Sequence, residues 1–204
     1  MSVLIDWRAG LAAALLTGIA DALFRARTSA MIPARVRAGS AQRRTRRRLA
    51  RLAPSGYLAL DSRRLPGSAE VIDHLVAGPA GVFTVTSQRW DRRLPVRATH
   101  GGELFHGPYR QEDRLRQAYW QAGQAAQLLA TELGGPVRVR PAMVIYGPPV
   151  PWIVMEIQGV DVFSGRRLRR YLRRQAAANR AHRLDERQIE LIYYAAARVL
   201  PPAR

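Results

Sequence analysis

Apolar side chains recur along this chain with two different periods, and the periods predict where helices and strands lie. A period of three to four residues, typical of a helix with one buried side, occurs in five segments. The third of these helices ends at a Gly-Gly-Pro stop and carries apolar residues at regular helical spacing, so we expect its stripe to face the core. The predicted helices are Leu11–Phe24, Ala38–Ala53, Gln111–Leu133 (stripe Leu115, Tyr119, Ala122, Ala126 and Leu129), Gly165–Arg174 and Asp185–Leu200.

Between these helices, short runs rich in β-branched and aromatic residues predict strands. The order of a helix, several strands, a long helix and further strands predicts an α/β (α+β) fold with a central mixed sheet flanked by helices. We expect one domain over residues 38–204, preceded by a helical extension over residues 1–37. The predicted strands are Tyr57–Leu60, Val71–Ala77, Val82–Gln88, Leu94–Arg97, Glu103–Phe105, Val137–Tyr146 and one or two within Trp152–Val162.

The first predicted helix, Leu11–Phe24, is apolar except for Thr17 and Asp21. Its fourteen residues are too few to span a bilayer. It lacks the basic start and small-residue cleavage site of a secretory signal. We therefore expect a helix that docks on its own domain or on a partner protein, with attachment to a membrane surface as the alternative.

Composition adds a strong positive charge. All 33 basic residues are Arg, only 15 acids oppose them, and the net charge is +18. Such an excess attracts polyanions, among them nucleic acids and anionic membranes, although a coding bias toward Arg, Ala, Gly and Pro would also produce it. The chain has no Cys, which excludes disulfides and thiolate metal sites and fits a cytoplasmic protein.

The stretch from Ile72 to Trp90 carries the most specific pattern. It consists of two apolar strands joined by a Gly-Pro turn, with Asp73 inside the first strand. An acid in a core strand requires a cation or hydrogen-bond donors. The sequence Ile72-Asp73-His74, the turn from Gly78 to Phe83, the strand and glycine at Val144–Gly147, and the pair Gly159-Val160 together resemble the nuclease-related domain family. This resemblance implies a restriction-endonuclease-like core and hydrolysis of phosphodiesters with Mg²⁺.

Three positions depart from that family pattern. Gln42 stands where the family has Glu on its first helix, and Thr86 and Gln88 stand where it has acid-x-Lys. Residues two apart on a strand share a face, so Thr86 and Gln88 keep the geometry without the charge. The degenerate catalytic set is therefore Asp73, Thr86, Gln88 and Gln42. Asp73 is its only anionic metal ligand, and a single carboxylate binds Mg²⁺ poorly.

Few residues could substitute in that set. Arg89 is expected to point away from Gln88, and no Lys exists in the chain. An active site would need a relocated acid, for which the candidates are Glu70, Glu103 and Glu112, and a polar residue on the long helix, Gln121 or Gln124. His74 is expected to be a packed histidine turned away from the site, and His100, His106 and His182 show no metal-ligand spacing.

Two Arg clusters are candidates for binding phosphates, or are simply solvated surfaces. Tyr171 and Trp90 are the aromatic candidates for stacking on bases. We expect a catalytically degenerate nuclease-related domain that acts as a nucleic-acid-binding or interaction module without a cofactor. The alternatives are an active Mg²⁺-dependent endonuclease acting on DNA with relocated ligands, and a scaffold on a membrane surface or protein. The clusters comprise Arg43, Arg44, Arg47, Arg48 and Arg51, and Arg166, Arg167, Arg169, Arg170 and Arg173.

Overall fold

Two helices pack on each side of a six-stranded sheet. The structure, a computed structural model, describes residues 34–180 and 183–203, with side chains from residue 39 onward. The predicted helix Leu11–Phe24 and His182 lie outside these residues. The helices are α1 (Ala34–Ala50), α2 (Glu112–Leu133), α3 (Leu168–Ala178) and α4 (Glu186–Val199), with 3-10 turns at Ala53–Ser55 and Gly165–Arg167. The strands are β1 (Leu58–Arg64), β2 (Val71–Gly78), β3 (Gly81–Arg89), β4 (Val96–Ala98), β5 (Leu104–His106), β6 (Tyr109–Arg110), β7 (Val139–Tyr146), β8 (Met155–Ile157) and β9 (Val160–Ser164).

The central sheet is mixed, as the order of elements predicted. Its strand order is β1-β2-β3-β7-β9-β8. The first three strands are antiparallel, β3, β7 and β9 run parallel, and β8 pairs antiparallel with β9. Parallel neighbours need a crossover, which α2 provides between β3 and β7. Strands β4, β5 and β6 form a separate small antiparallel sheet, so the predicted meander exists but does not extend the main sheet.

The sheet divides the core into two sides. Successive residues of β7 alternate between them, with Ala142 and Val144 on one side and Met143 and Ile145 on the other. The first side is covered by α1 and α3, whose buried residues share one cluster with the sheet. The second side is covered by α2 and α4. Which helices lie together on one side decides how surface charge is distributed.

Several predicted boundaries were wrong. Strand β1 continues to Arg64 instead of ending at Leu60, because its backbone pairs with β2 through Asp61 and Arg63 despite their polar side chains. Helix α1 ends at Ala50, before the 3-10 turn that contains Pro54. Helix α3 extends to Ala178 after a 3-10 start. Strand β6 was not predicted, and the remaining described elements differ from prediction by a few residues at their ends.

One residue of the predicted α2 stripe is misplaced. Tyr119 is 59% exposed, whereas Ala118 is buried. The buried positions follow the true helical repeat through Leu115, Ala118, Ala122, Ala125 and Leu129. The prediction took a step of four residues after Leu115 where the buried side takes a step of three, and so placed Tyr119 in the stripe in place of Ala118.

Among the described residues, no helix is long and apolar enough to cross a membrane. Residues 38–204 form one compact unit.

Candidate active site and arginine face

Three of the four candidate catalytic residues, Asp73, Thr86 and Gln88, lie where the pairing of β2 with β3 ends, and Gln42 lies on α1. The last registered pair between these strands is His74 with Val85. Asp73 precedes His74 on β2. There the side chain, not the backbone, bonds to β3: Asp73 Oδ2 accepts the Ser87 N–H at 2.7 Å. On β1, Asp61 pairs with His74 and Arg63 pairs with Ile72. Ser62 lies between them and has a positive φ of 48°. Strand β2 itself is continuous over Val71–Gly78, as predicted, and its pairing with β1 keeps one register on both sides of Asp73.

Around Asp73, the side chains of β2 do not alternate regularly between the two faces of the sheet. Ile72 and Leu75 are three apart, yet both belong to the core cluster under α2 and α4. Regular alternation would put residues at this odd spacing on opposite faces. Asp73 lies between them, with its carboxylate directed at the backbone of β3 instead of at a helix.

Burial dominates the electrostatics of Asp73. Removal from water raises the pKa of this carboxyl above its ordinary value, while the Ser87 N–H and the nearby His74 act in the opposite direction. The net direction is upward, so the charged form is disfavoured. A bound dication would do the reverse and favour the carboxylate.

Thr86 and Gln88 flank Ser87 on β3 and are half-buried. The side-chain oxygen of Gln88 accepts a hydrogen bond from the Arg114 guanidinium of α2 at 2.5 Å. A cation from the long helix therefore lies against the position where the family pattern has Lys. The sequence-based prediction missed Arg114. As substitutes for the family's Lys it considered a Lys anywhere in the chain, but an Arg only next to Gln88. Arg89 donates to Ser40 of α1, on the other side of the sheet as strand alternation predicts.

Helix α1 reaches the site through neutral groups. The Gln42 amide donates to the Ser62 hydroxyl at 2.9 Å. One turn further, the buried Thr45 hydroxyl accepts from Ser87 at 2.7 Å and lies 3.0 Å from the Tyr146 hydroxyl. These contacts hold α1 against β1, β3 and β7. Sequence reasoning missed Thr45. Its spacing of four residues from the apolar Ala41 and Leu49, both buried, places it on the same side of the helix and could have indicated it.

The three acids that were candidate substitutes bind elsewhere. Glu70 precedes β2 and accepts from Gln117 and from the buried Gln121 of α2. Glu103 and Glu112 both pair with Arg110. Gln121 is thus not a solvated residue, because it fixes α2 to the start of β2.

A fourth acid, Asp61, was missed because the predicted first strand stopped one residue before it. His74 is fully buried, and its Nδ1 donates to Asp61 Oδ1 at 2.5 Å. The other carboxylate oxygen of Asp61 pairs with Arg46 of α1 at 2.9 Å. Both oxygens of Asp61 therefore have partners within the protein, and His74 is packed as expected, with its Nε2 buried and unpaired among the described residues.

The residues present do not fit the Mg²⁺ that the family resemblance implies. Within residues 34–180 and 183–203, no group of three or more His, Cys, Asp or Glu side chains could hold a metal ion. Asp73 already accepts a backbone N–H, and its matched neighbours offer only neutral atoms. Mg²⁺ gives up its water reluctantly and favours carboxylate ligands, so this set of groups is a poor site for it.

The Arg clusters lie on the side of the sheet covered by α1 and α3. Two of their members have structural partners: Arg48 is half-buried and contacts the Tyr146 hydroxyl, and Arg167 donates to the Trp152 carbonyl. The other members are exposed, namely Arg43, Arg44, Arg47, Arg51, Arg166, Arg169, Arg170 and Arg173. We call the outward surface of α1, α3 and the residues that adjoin them the arginine face.

Charge is sharply divided between the two sides of the sheet. From residue 39 onward, α1 contains five Arg, and α3 contains four, with no acid in either helix. Helices α2 and α4 each contain only two Arg, opposed by three acids in α2 and two in α4. The described side chains of the helices on the first side thus carry nine positive charges, and those of the second side carry a net charge of −1. A general coding bias toward Arg would not separate the charges in this way.

Both aromatic residues predicted to stack on bases are buried, which overturns that prediction. Trp90 stacks on His106 with ring centroids 4.8 Å apart. Tyr171 packs against Phe83 and Phe163, and its hydroxyl donates to Asp161 at 2.7 Å. Both rings fill core space next to the strands, so their nearness in sequence to exposed Arg residues does not bring them to the surface.

Comparison with known families gives one match. The family model described as nuclease-related domain matches residues 38–146. The matched range runs from α1 to the end of β7 and contains all four candidate catalytic positions, but it ends before α3. No curated protein and no solved structure matches the chain.

Proposed function

This chain belongs to the nuclease-related domain family, and we propose that it is a member that binds nucleic acid without cutting it. The observation that carries the proposal is the separation of charge across the sheet. Nine Arg with described side chains on α1 and α3 face no acid on those helices, whereas the matched catalytic positions retain one acid.

The loss of cleavage is supported by the chemistry of the site. Hydrolysis of a phosphodiester with a metal ion needs ligands that hold the ion and a group that orients the attacking water. Here Thr86 and Gln42 cannot supply the missing negative charge, and Gln88 is engaged by Arg114. The raised pKa of Asp73 further weakens the one carboxylate that remains.

Binding is supported by the arrangement of the guanidinium groups. Phosphate contacts from Arg supply most of the affinity of nonspecific nucleic-acid binding, through release of counterions. Exposed Arg side chains on two helices that share one side of a sheet can contact several phosphates at once. The partner is therefore expected to be a nucleic acid bound through its backbone.

The test is a fluorescence-anisotropy titration of a labelled DNA duplex at several salt concentrations. The test variant replaces Arg169, Arg170 and Arg173 of α3 by Ala. The matched control replaces three Arg of the opposite side, Arg116, Arg187 and Arg198, and thus removes the same total charge.

We expect the α3 variant to bind at least tenfold more weakly than the control. The slope of log K against log salt should fall by about 0.9 for each phosphate that the variant no longer binds, or roughly 2 to 3 in all. Equal weakening by both variants would show that only net charge matters, and no binding of the unaltered protein at low salt would overturn the proposal.

Cleavage is tested separately with supercoiled plasmid in the presence of Mg²⁺ or Mn²⁺. We expect no nicking or linearisation by the purified protein. Metal-dependent cleavage that disappears in Asp73→Ala would establish the alternative of an active endonuclease.

A further inference from the structure

We infer that the arginine face prefers double-stranded nucleic acid to single strands. This inference rests on the proposed function and adds the class of substrate. It follows from three features of the face: it lacks exposed aromatic side chains, its amide side chains are hydrogen-bonded within the protein, and its Arg residues lie on helices that are packed against the sheet.

The arginine face displays no exposed aromatic platform among its described residues. Within residues 39–180 and 183–203, the large exposed aromatic side chains are Tyr119 and Trp120 on α2 and Tyr194 on α4, the two helices on the opposite side of the sheet. The aromatic residue of α3, Tyr171, is 1% exposed and points into the core. Proteins that bind single strands gain much of their affinity from bases stacked on such side chains. A strand bound to the arginine face would lack this contribution.

Amide side chains that read base edges are also occupied there. Gln42 of α1 donates to Ser62. Gln175 of α3 accepts from Arg140 and donates to Asp161. These are the only amide side chains of the two helices, and each is hydrogen-bonded to another side chain of the protein. The face therefore offers mainly guanidinium groups, which bind phosphates.

The Arg residues are held on a rigid support. Leu49 of α1 and Leu168 and Leu172 of α3 are buried in one core cluster with the sheet, which fixes the positions of both helices. A duplex presents phosphates at fixed positions, with one charge per roughly 1.7 Å of its axis. A flexible strand has a lower charge density and must be ordered on binding, which costs conformational entropy. Without stacking to offset that cost, a fixed array of guanidinium groups binds a duplex more tightly.

The experiment compares a DNA duplex of mixed sequence with one of its own strands, chosen to lack self-structure. Both carry the same label, and binding is followed by anisotropy between low and moderate salt. We expect the full-length protein to bind the duplex at least tenfold more tightly than the strand. The Arg169, Arg170 and Arg173 triple variant should lose most of this difference, whereas Trp120→Ala should leave both affinities unchanged.

The possible failures are distinguishable. If strand and duplex bind equally well and the α3 triple variant weakens both, the preference for duplex is overturned and the proposed function survives. If the strand binds more tightly and Trp120→Ala weakens it, the strand uses the opposite side of the sheet and the inference is wrong. If neither probe binds at low salt, the proposed function itself fails.

Discussion

Helix α1 contributes to two regions that differ in charge. Its inner side carries Gln42, which donates to Ser62, and Thr45, which accepts from Ser87, whose backbone N–H binds Asp73. Its outer side carries the exposed Arg43, Arg44 and others of the arginine face. The same helix thus presents a neutral amide and a hydroxyl at Gln42 and Thr45, whereas most of its described Arg side chains are exposed to solvent.

The difference teaches that this chain can keep the fold around the family's site after losing the charged residues of that site. Asp73, Ser87, Thr45 and Tyr146 form a continuous chain of hydrogen bonds that joins β2, β3, α1 and β7, and Arg48 also contacts the Tyr146 hydroxyl. Exposed Arg residues cost little because water solvates them, whereas buried charges need partners. A site without its ligand charges can therefore keep its scaffold.

Tyr146 connects the two regions. Its hydroxyl contacts Thr45 below the candidate site, and its ring packs on Gly165, which begins the segment that leads into α3. A Cβ on Gly165 would lie 2.2 Å from the Tyr146 ring. Backbone and ring cannot both remain in place at that distance.

The largest effect is expected from Gly165→Ala, which forces the two regions apart. We expect a loss of about 3 kcal/mol in the free energy of unfolding, the upper end of the usual cost of overpacking. Urea denaturation measures it. The matched control is Gly123→Ala in α2, where a Cβ meets nothing within 4 Å and should stabilise the helix by up to about 1 kcal/mol. Equal stability of the two variants would mean that Tyr146 does not join the regions in this way.

A smaller effect is expected from returning the family's charges to the site. The variant Gln42→Glu, Thr86→Asp and Gln88→Lys should be stabilised by Mg²⁺, by about 2 kcal/mol when the ion exceeds its Kd roughly thirtyfold. The unaltered protein should show no such stabilisation in thermal melts. Adding Asp73→Asn to the triple variant is the control and should abolish it. If Mg²⁺ stabilised the unaltered protein and Asp73→Asn abolished this effect, the candidate site would bind a cation as it stands, and the two regions would not differ in charge as described.

The smallest effect is expected from Asp73→Asn alone. Burial raises the pKa of this carboxyl, so the folded protein holds a proton that the unfolded chain releases, and stability falls as pH rises from about 4 toward the raised value. Asn can still accept the Ser87 N–H. Because Asn does not ionise, the variant lacks this decrease in stability with rising pH. We expect unchanged stability at low pH and slightly higher stability at pH 7, measured by urea denaturation across the pH range.

The control for this last change is Asp113→Asn, which removes an exposed carboxylate of α2. A marked loss of stability at pH 7 in Asp73→Asn, beyond that of the control, would mean that the charge of Asp73 is used by a bound cation.

Much of the fold was predictable, because it rests on local patterns. The helical repeat of Leu115 to Leu129 and the apolar strands around Asp73 predicted the order of elements and the mixed sheet. Errors arose where a contact distant in sequence decides the outcome. Asp61 was missed because β1 continues through polar residues that pair with β2, and Arg114 was missed because α2 brings it to Gln88 from 26 positions away.

The sequence by itself determined the family, the succession of helices and strands, and the lack of charge at Gln42, Thr86 and Gln88. Only the tertiary structure decided that α1 and α3 share one side of the sheet, that their Arg residues therefore form one face, and that Tyr171 and Trp90 do not belong to it. The physical reason is that periodicity reports which side of an element is buried, whereas the partner that buries it is set by pairing and packing between distant parts of the chain.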